Sequence, residues 1–307
     1  MTQLILPRPI ENEFILGFIG RIKRVNLESS SSEALRKLVS HFKLDQEDLP
    51  YRMHYYQSER HLRALALTSG KSVDEFLFYH SNFAAEGLTP ESAAQWLSLR
   101  MRAKKGNRYP ESKLPHFCRE CIGQQVREVN TPFWDRRHQL DGLYWCPVHK
   151  SVLLALDDWF ANDAQIPLAA IAYARTPATA DEFDKYPVLR SFSEVMIRFL
   201  QYPLWRSAPR IEACLQSLAI AQGLCTQEGD VPKVPVDSPF LSDIAFKECP
   251  AWWLNDVFGL QRGVDCKGRS ALNSVFSARG HAPSVCYALA LSLLLSSRER
   301  AHVFDES

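Results

Sequence analysis

The sequence predicts a mainly α-helical protein interrupted by a small metal-held ribbon. Three observations predict it. Apolar residues recur at helical spacing from Glu13 to Met101 and again beyond Leu156. From Pro110 to Leu156 prolines, glycines and aromatics replace that period. Two short metal-ligand pairs, Cys118-Arg-Glu-Cys121 and Cys146-Pro-Val-His149, stand inside this middle stretch. The expected organisation is an N-terminal helical domain over 1–109 with a helix-turn-helix-like unit, a zinc-ribbon segment over 110–156, and a C-terminal helical domain over 157–307. A chain of 307 residues, 46 % hydrophobic, can bury the cores of two or three such units.

Leu4 to Pro9 reads as an extended lead-in. A first helix is expected over Glu13 to Val25, with Ile15, Phe18, Ile19 and Ile22 on one face. Gly17 and Gly20 lower its propensity and permit close helix contact. Ser30 and Glu33 fit a capping box for the next helix, which carries Leu35, Leu38, Val39 and Phe42. Asp45 to Pro50 breaks it. A helix over Glu59 to Thr68 stops at Gly70. Ser72 and Glu75 form a second capping box, with Val73, Phe76 and Leu77 facing inward. Thr89-Pro90 opens a helix carrying Ala93, Trp96, Leu97 and Met101.

Beyond Leu156, Val188–Gln201 and Arg210–Gly223 are amphipathic. Gln227 to Pro239 reads as a loop. Leu241–Phe246 and Trp252–Leu260 read as helices. Ala282-Pro283 opens a helix that is apolar nearly all round from Cys286 to Leu295, hence buried. The charged tail from Arg298 is expected to fray.

The ligand pairs carry the chemistry. Two thiolates three apart, on a tight turn, present both sulfurs to one face of an ion. The second pair follows after 24 residues and closes the other face. Cys118, Cys121, Cys146 and His149 thus make a complete tetrahedral set for one structural zinc ion, with no position left for water. Cysteine is also a common small core residue, but pairing at both ends favours the metal. A disulfide would need an oxidising compartment, of which the sequence gives no sign. Cys214, Cys225, Cys249, Cys266 and Cys286 have no Cys-x-x-Cys partner and read as core or free thiols. Phe133, Trp134, Leu140, Leu143, Tyr144 and Trp145 are expected to form a small shell around the metal.

Net charge is only +1, yet it is unevenly spread. Arg100 to His138 holds ten Lys or Arg against four acids, an excess of +6. Arg100, Arg102, Lys104, Lys105 and Arg108 are candidate contacts for nucleic acid or a partner, although charge runs are often solvated faces. No leader is expected, and the apolar run Tyr287–Leu295 is too short to span a bilayer. Without membrane contact, a reducing cytoplasmic setting is expected.

Marks of catalysis are missing. The sequence has no His-Glu-x-x-His helix, no phosphate-binding loop and no Gly-x-Ser-x-Gly elbow. Pro115-His-Phe-Cys118 is similar to the Cys pair of zinc deaminases, but those need an upstream His-x-Glu. Here His41, His54, His61 and His80 are followed two places on by Lys43, Tyr56, Arg63 and Asn82. Asp157-Asp158 and Asp181-Glu182 read as solvated acids. The expectation is a protein that is not an enzyme.

Pro115-His-Phe-Cys118-Arg-Glu-Cys121-Ile, Phe133-Trp-Asp-Arg-Arg-His-Gln139-Leu140 and Cys146-Pro-Val-His149 followed by Leu153 resemble the TniQ family. Pro9, then Glu13 through Phe18 to Arg21, is similar to that family's opening helix. Phe18, Arg119, His138 and Lys150 depart from its usual residues without touching a ligand position. The resemblance implies a targeting adaptor of a bacterial transposon rather than a transposase. Some such proteins read an attachment site directly, as TnsD-like selectors do, often with an added C-terminal DNA-reading region. Others are homodimers that sit on a Cascade complex with its guide RNA and hand the target DNA to the AAA+ regulator TnsC. A chain ending at Ser307 leaves little room for a large extra DNA-binding domain, so the RNA-guided adaptor is the expected subgroup.

Overall fold

The computed structural model describes residues 4–44, 56–85, 114–156, 167–176, 178–202, 204–224, 226–228, 231–233, 241–261, 272–276 and 282–305. Among them the protein is mainly helical, with three two-stranded antiparallel pairs. The expected helix from Thr89-Pro90 and the breaker Asp45 to Pro50 lie outside the described residues.

Four helices open the chain: α1 (Ile15–Val25), α2 (Ser31–His41), α3 (Tyr56–Ser69) and α4 (Val73–His80). Each packs on the next. Ile15, Phe18, Ile19 and Ile22 of α1 are buried, as their spacing predicts. The chain leaves α1 through Leu27 at φ +56°, and Glu28 N–H returns to the Lys23 carbonyl at 3.0 Å, which satisfies an end carbonyl. Ser30 caps α2 by accepting from Glu33 N–H at 3.1 Å, while the Glu33 carboxylate accepts from Ser29 Oγ at 2.7 Å. At α4 the full reciprocal box of Ser72 and Glu75 is present.

The middle stretch differs from a plain ribbon. Strand β1 (His116–Phe117) leads into a helix, α5 (Arg119–Val129), which occupies the first third of the span between the ligand pairs. Cys121, Ile122 and Gln125 make its buried face, and Asn130 ends it at φ +53°. A 3₁₀ turn, Arg136–Gln139, follows. Strands β2 (Trp145–Cys146) and β3 (Ser151–Val152) then form a hairpin, with Cys146 opposite Ser151. Strand β4 (Leu154–Ala155) returns to pair with β1.

The expected self-contained aromatic shell is corrected by where these side chains go. Phe117, Ile122, Trp134 and Leu156 join the core of α1–α4. Leu140, Leu143, Tyr144, Trp145 and Leu153, with all three cysteines, join a second core built with the C-terminal helices. A segment this short cannot enclose its own apolar residues, so it serves as a plate between two larger cores.

Helices α6 (Ala180–Lys185), α7 (Val188–Gln201), α8 (Leu204–Ala221), α9 (Leu241–Glu248), α10 (Ala251–Phe258), α11 (Ser284–Leu294) and α12 (Ser297–Asp305) complete the fold. α11 is buried nearly all round and packs chiefly on α7. Three expectations are corrected. The stretch read as a loop contains a hairpin, β5 (Thr226–Glu228) with β6 (Val231–Lys233). As far as Asp305 the tail is helical, with Arg300 reaching back to the Leu295 carbonyl and Ser191 Oγ and Phe304 packed on Phe199. Glu182 is not idle, since it accepts from Thr179 N–H and from Trp252 Nε1 at 2.6 Å.

Candidate metal centre

The first ligand pair takes its geometry from a helix start. Cys118 is the N-cap of α5, with extended backbone at φ −101°, and Cys121 closes the first turn. Ile122 N–H bonds to the Cys118 carbonyl at 3.1 Å, which fixes that turn. Residues one turn apart share a face, so both sulfurs point the same way.

The second pair takes its geometry from a hairpin. The register of Cys146 with Ser151 leaves a short turn over 147–150. Lys150 adopts φ +51°, a left-handed conformation that curls His149 back over Cys146. His149 N–H donates to Cys146 Sγ at 3.5 Å. The antiparallel pairing of β1 with β4 then brings the hairpin beside the start of α5.

The four ligand atoms all lie within 4.8 Å of one another. Cys121 Sγ is 3.7 Å from Cys146 Sγ, in contact but too far for a disulfide. His149 Nδ1 lies 3.6, 3.2 and 3.9 Å from the sulfurs of Cys118, Cys121 and Cys146. A tetrahedral ion with bonds of about 2.3 Å to sulfur and about 2.0 Å to nitrogen requires edges of about 3.8 Å and about 3.5 Å. The Cys121–Cys146 edge and the three edges to His149 lie close to these values, so the four donors could hold one metal ion. The three cysteines are buried and His149 is half-buried.

Residues 4–153 match the TniQ family model. The chain belongs to the TniQ family. A search of curated proteins finds none that matches. The TniQ match takes in the α1–α4 unit and all four ligands, and the family assigns the chain a role in transposition targeting.

The electrostatics of the TniQ site match its donor set. Hydrogen bonds from the Cys118 and Cys121 thiols hold Cys146 far below the ordinary thiol range. Cys118 is lowered as well, chiefly by the Cys121 thiol. Cys121, hydrogen-bonded to the other two and buried, is pushed well up. Three thiolates cannot share one pocket without a cation, and a divalent ion removes that conflict.

Other side chains surround the sulfurs. Cys118 Sγ lies 3.0 Å from Glu120 Oε2 and 3.4 Å from Ser151 Oγ. His138 Nε2 lies 3.8 Å from Cys121 Sγ. Arg137 lines the same cavity as Cys121 and pairs with buried Asp135 at 2.5 Å. Glu120 shares the turn of the first ligand pair, whereas the closeness of Arg137 and His138 to the sulfurs was not legible in the sequence, because both come from the 3₁₀ turn Arg136–Gln139. Arg100, Arg102, Lys104, Lys105 and Arg108 lie outside the described residues. Among the described cysteines outside the centre, burial pushes Cys249 and Cys286 up to about 12, as expected of inert core thiols.

Proposed function

We propose that this TniQ protein is a non-catalytic target-selection adaptor, linking a Cascade complex with its guide RNA to the TnsC regulator and the transposase. One observation carries the non-catalytic part. The centre offers a full set of four protein donors, three of them buried in the second core. Such a closed set suits a structural zinc ion and leaves no position for substrate or activated water. Zinc at Cys118, Cys121, Cys146 and His149 would tie the start of α5 to the β2–β3 hairpin. It would thereby fix how the two helical units face each other. That is the work of a rigid connector with a partner on each side, acting as a homodimer in the cytoplasm.

The guide-complex reading delegates sequence recognition to base pairing and leaves protein contacts to this chain. The excess of +6 between Arg100 and His138 supports an alternative, direct binding of an attachment site in the manner of TnsD-like selectors. Salt titration separates the two. A phosphate-driven binder loses affinity steeply as salt rises. Co-purification with a guide complex and weak, non-specific affinity for free duplex is the expected result. Tight, specific duplex binding by the protein alone at physiological salt would overturn the adaptor reading.

A further inference from the structure

We propose that His138 is the buried hydrogen-bond donor to the Cys121 sulfur of the metal-bound centre, and so governs how tightly the centre retains its metal. The inference rests on the metal reading above. A divalent ion bound by three thiolates and a neutral imidazole carries a net negative charge. A buried sulfur of such a centre is stabilised by a hydrogen-bond donor that is not itself a ligand side chain. Around Cys118 stand Ser151 Oγ at 3.4 Å and Glu120 Oε2 at 3.0 Å, the Ser151 hydroxyl donating to that carboxylate at 3.2 Å. Cys146 has one in the backbone N–H of His149 at 3.5 Å. For Cys121 the outer donor is His138 Nε2 at 3.8 Å, its other sulfur contacts being Cys146 and His149 themselves.

The proton position follows from the surroundings. His138 is 1 % exposed, and among the described residues its Nδ1 has no partner. A proton on Nδ1 would be a buried donor without an acceptor, the rarer and costlier arrangement. A proton on Nε2 faces Cys121 Sγ. The ring is packed on all sides, and the 3₁₀ turn that carries it is held at both ends. His138 N–H bonds to the Asp135 carbonyl at 3.1 Å, and Gln139 Nε2 donates to the His116 carbonyl at 2.6 Å. His138 is thus a positioning residue built into the centre and not a fifth ligand.

The test is zinc retention by the full chain against a competing chelator, with the charge-transfer absorption of the cobalt-substituted protein as a second readout. His138→Phe keeps a ring and removes the donor, so its zinc affinity should fall about tenfold or more. His138→Gln places an N–H near the Nε2 position and should recover most of that loss. His138→Asn is equally polar but too short to reach, and should behave like the Phe variant. A shifted sulfur-to-cobalt band in the Phe and Asn variants, but not in Gln, is expected. Equal affinity in Gln and Asn would overturn the proposal even where the Phe variant does not fold. So would wild-type affinity in all three. Wild-type protein that binds no metal would instead bring down the metal reading itself.

Discussion

Asp135 is 1 % exposed, and its carboxylate is held by the backbone and side chain of Arg137. Burial pushes its pKa up, but His138 and the bonds from Arg137 outweigh that and hold it below the ordinary carboxylate range. Removing Arg137 would leave a buried charge without its partner. Arg137→Met should therefore cost about 3 kcal/mol in denaturant unfolding, and a loss below 0.5 kcal/mol would refute this. His80 gives a pH prediction. It is 3 % exposed with Nδ1 at 3.1 Å from the Glu13 carbonyl, and burial lowers its pKa from 6.5 to about 4. Between those values the unfolded chain takes up a proton that the folded chain refuses. Stability contributed by neutral His80 is therefore present above pH 6.5 and is lost as pH falls toward about 4. The slope from this residue is about 1.4 kcal/mol per pH unit. Unfolding curves of wild type and His80→Asn, compared between pH 6.5 and 5, should diverge by that slope, since other groups contribute equally to both.

Seams decide matters at the scale of elements. Gly17 of α1 touches not another helix but the middle segment, where a Cβ would meet Trp134 Cδ1 at 2.9 Å and Trp134 Cβ at 3.1 Å. Trp134 is fully buried and cannot yield. Gly17→Ala gains roughly 1 kcal/mol of helix propensity, but overpacking costs more. A net loss of about 1–2 kcal/mol is expected, read as a lower denaturant midpoint at unchanged slope. The second seam is polar. Tyr144 donates to Asp256 Oδ2 at 2.5 Å, and Trp253 Nε1 donates to the Gly142 carbonyl at 3.0 Å. Gly142 sits at φ +76° with Val257 and Phe192 against it, so no side chain is accommodated there. These bonds attach α10 to the middle segment. Helix positions were legible from apolar period and caps, as Ser72 with Glu75 and the spacing of α7 show. The seams were not, because nothing local to Gly17 or Tyr144 names its distant partner.

Across the whole molecule, the metal segment contributes side chains to both cores, so losing the ion should be felt on each side. Cys146→Ser, or a chelator added to the native chain, should abolish zinc binding by elemental analysis. It should also lower the melting temperature of the whole described fold rather than melt the ribbon alone. Preserved metal content in Cys146→Ser would contradict the ligand assignment. Amide exchange that stays unchanged in α1–α4 and α7–α11 would contradict the connector. Among the described residues no helix is long and apolar enough to cross a membrane.

By itself the sequence determined which four Cys and His side chains cluster, most of the described helices and the family. Each of these is written locally: two ligand pairs, a period of apolar residues, a cap and its partner three places on. Only the tertiary structure decided that α5 starts at Cys118, that the aromatics divide between two cores, and that His138 stands behind Cys121. Those facts depend on which surfaces meet across many residues of chain. Burial and close packing set them, and no short stretch of sequence encodes its neighbour in space.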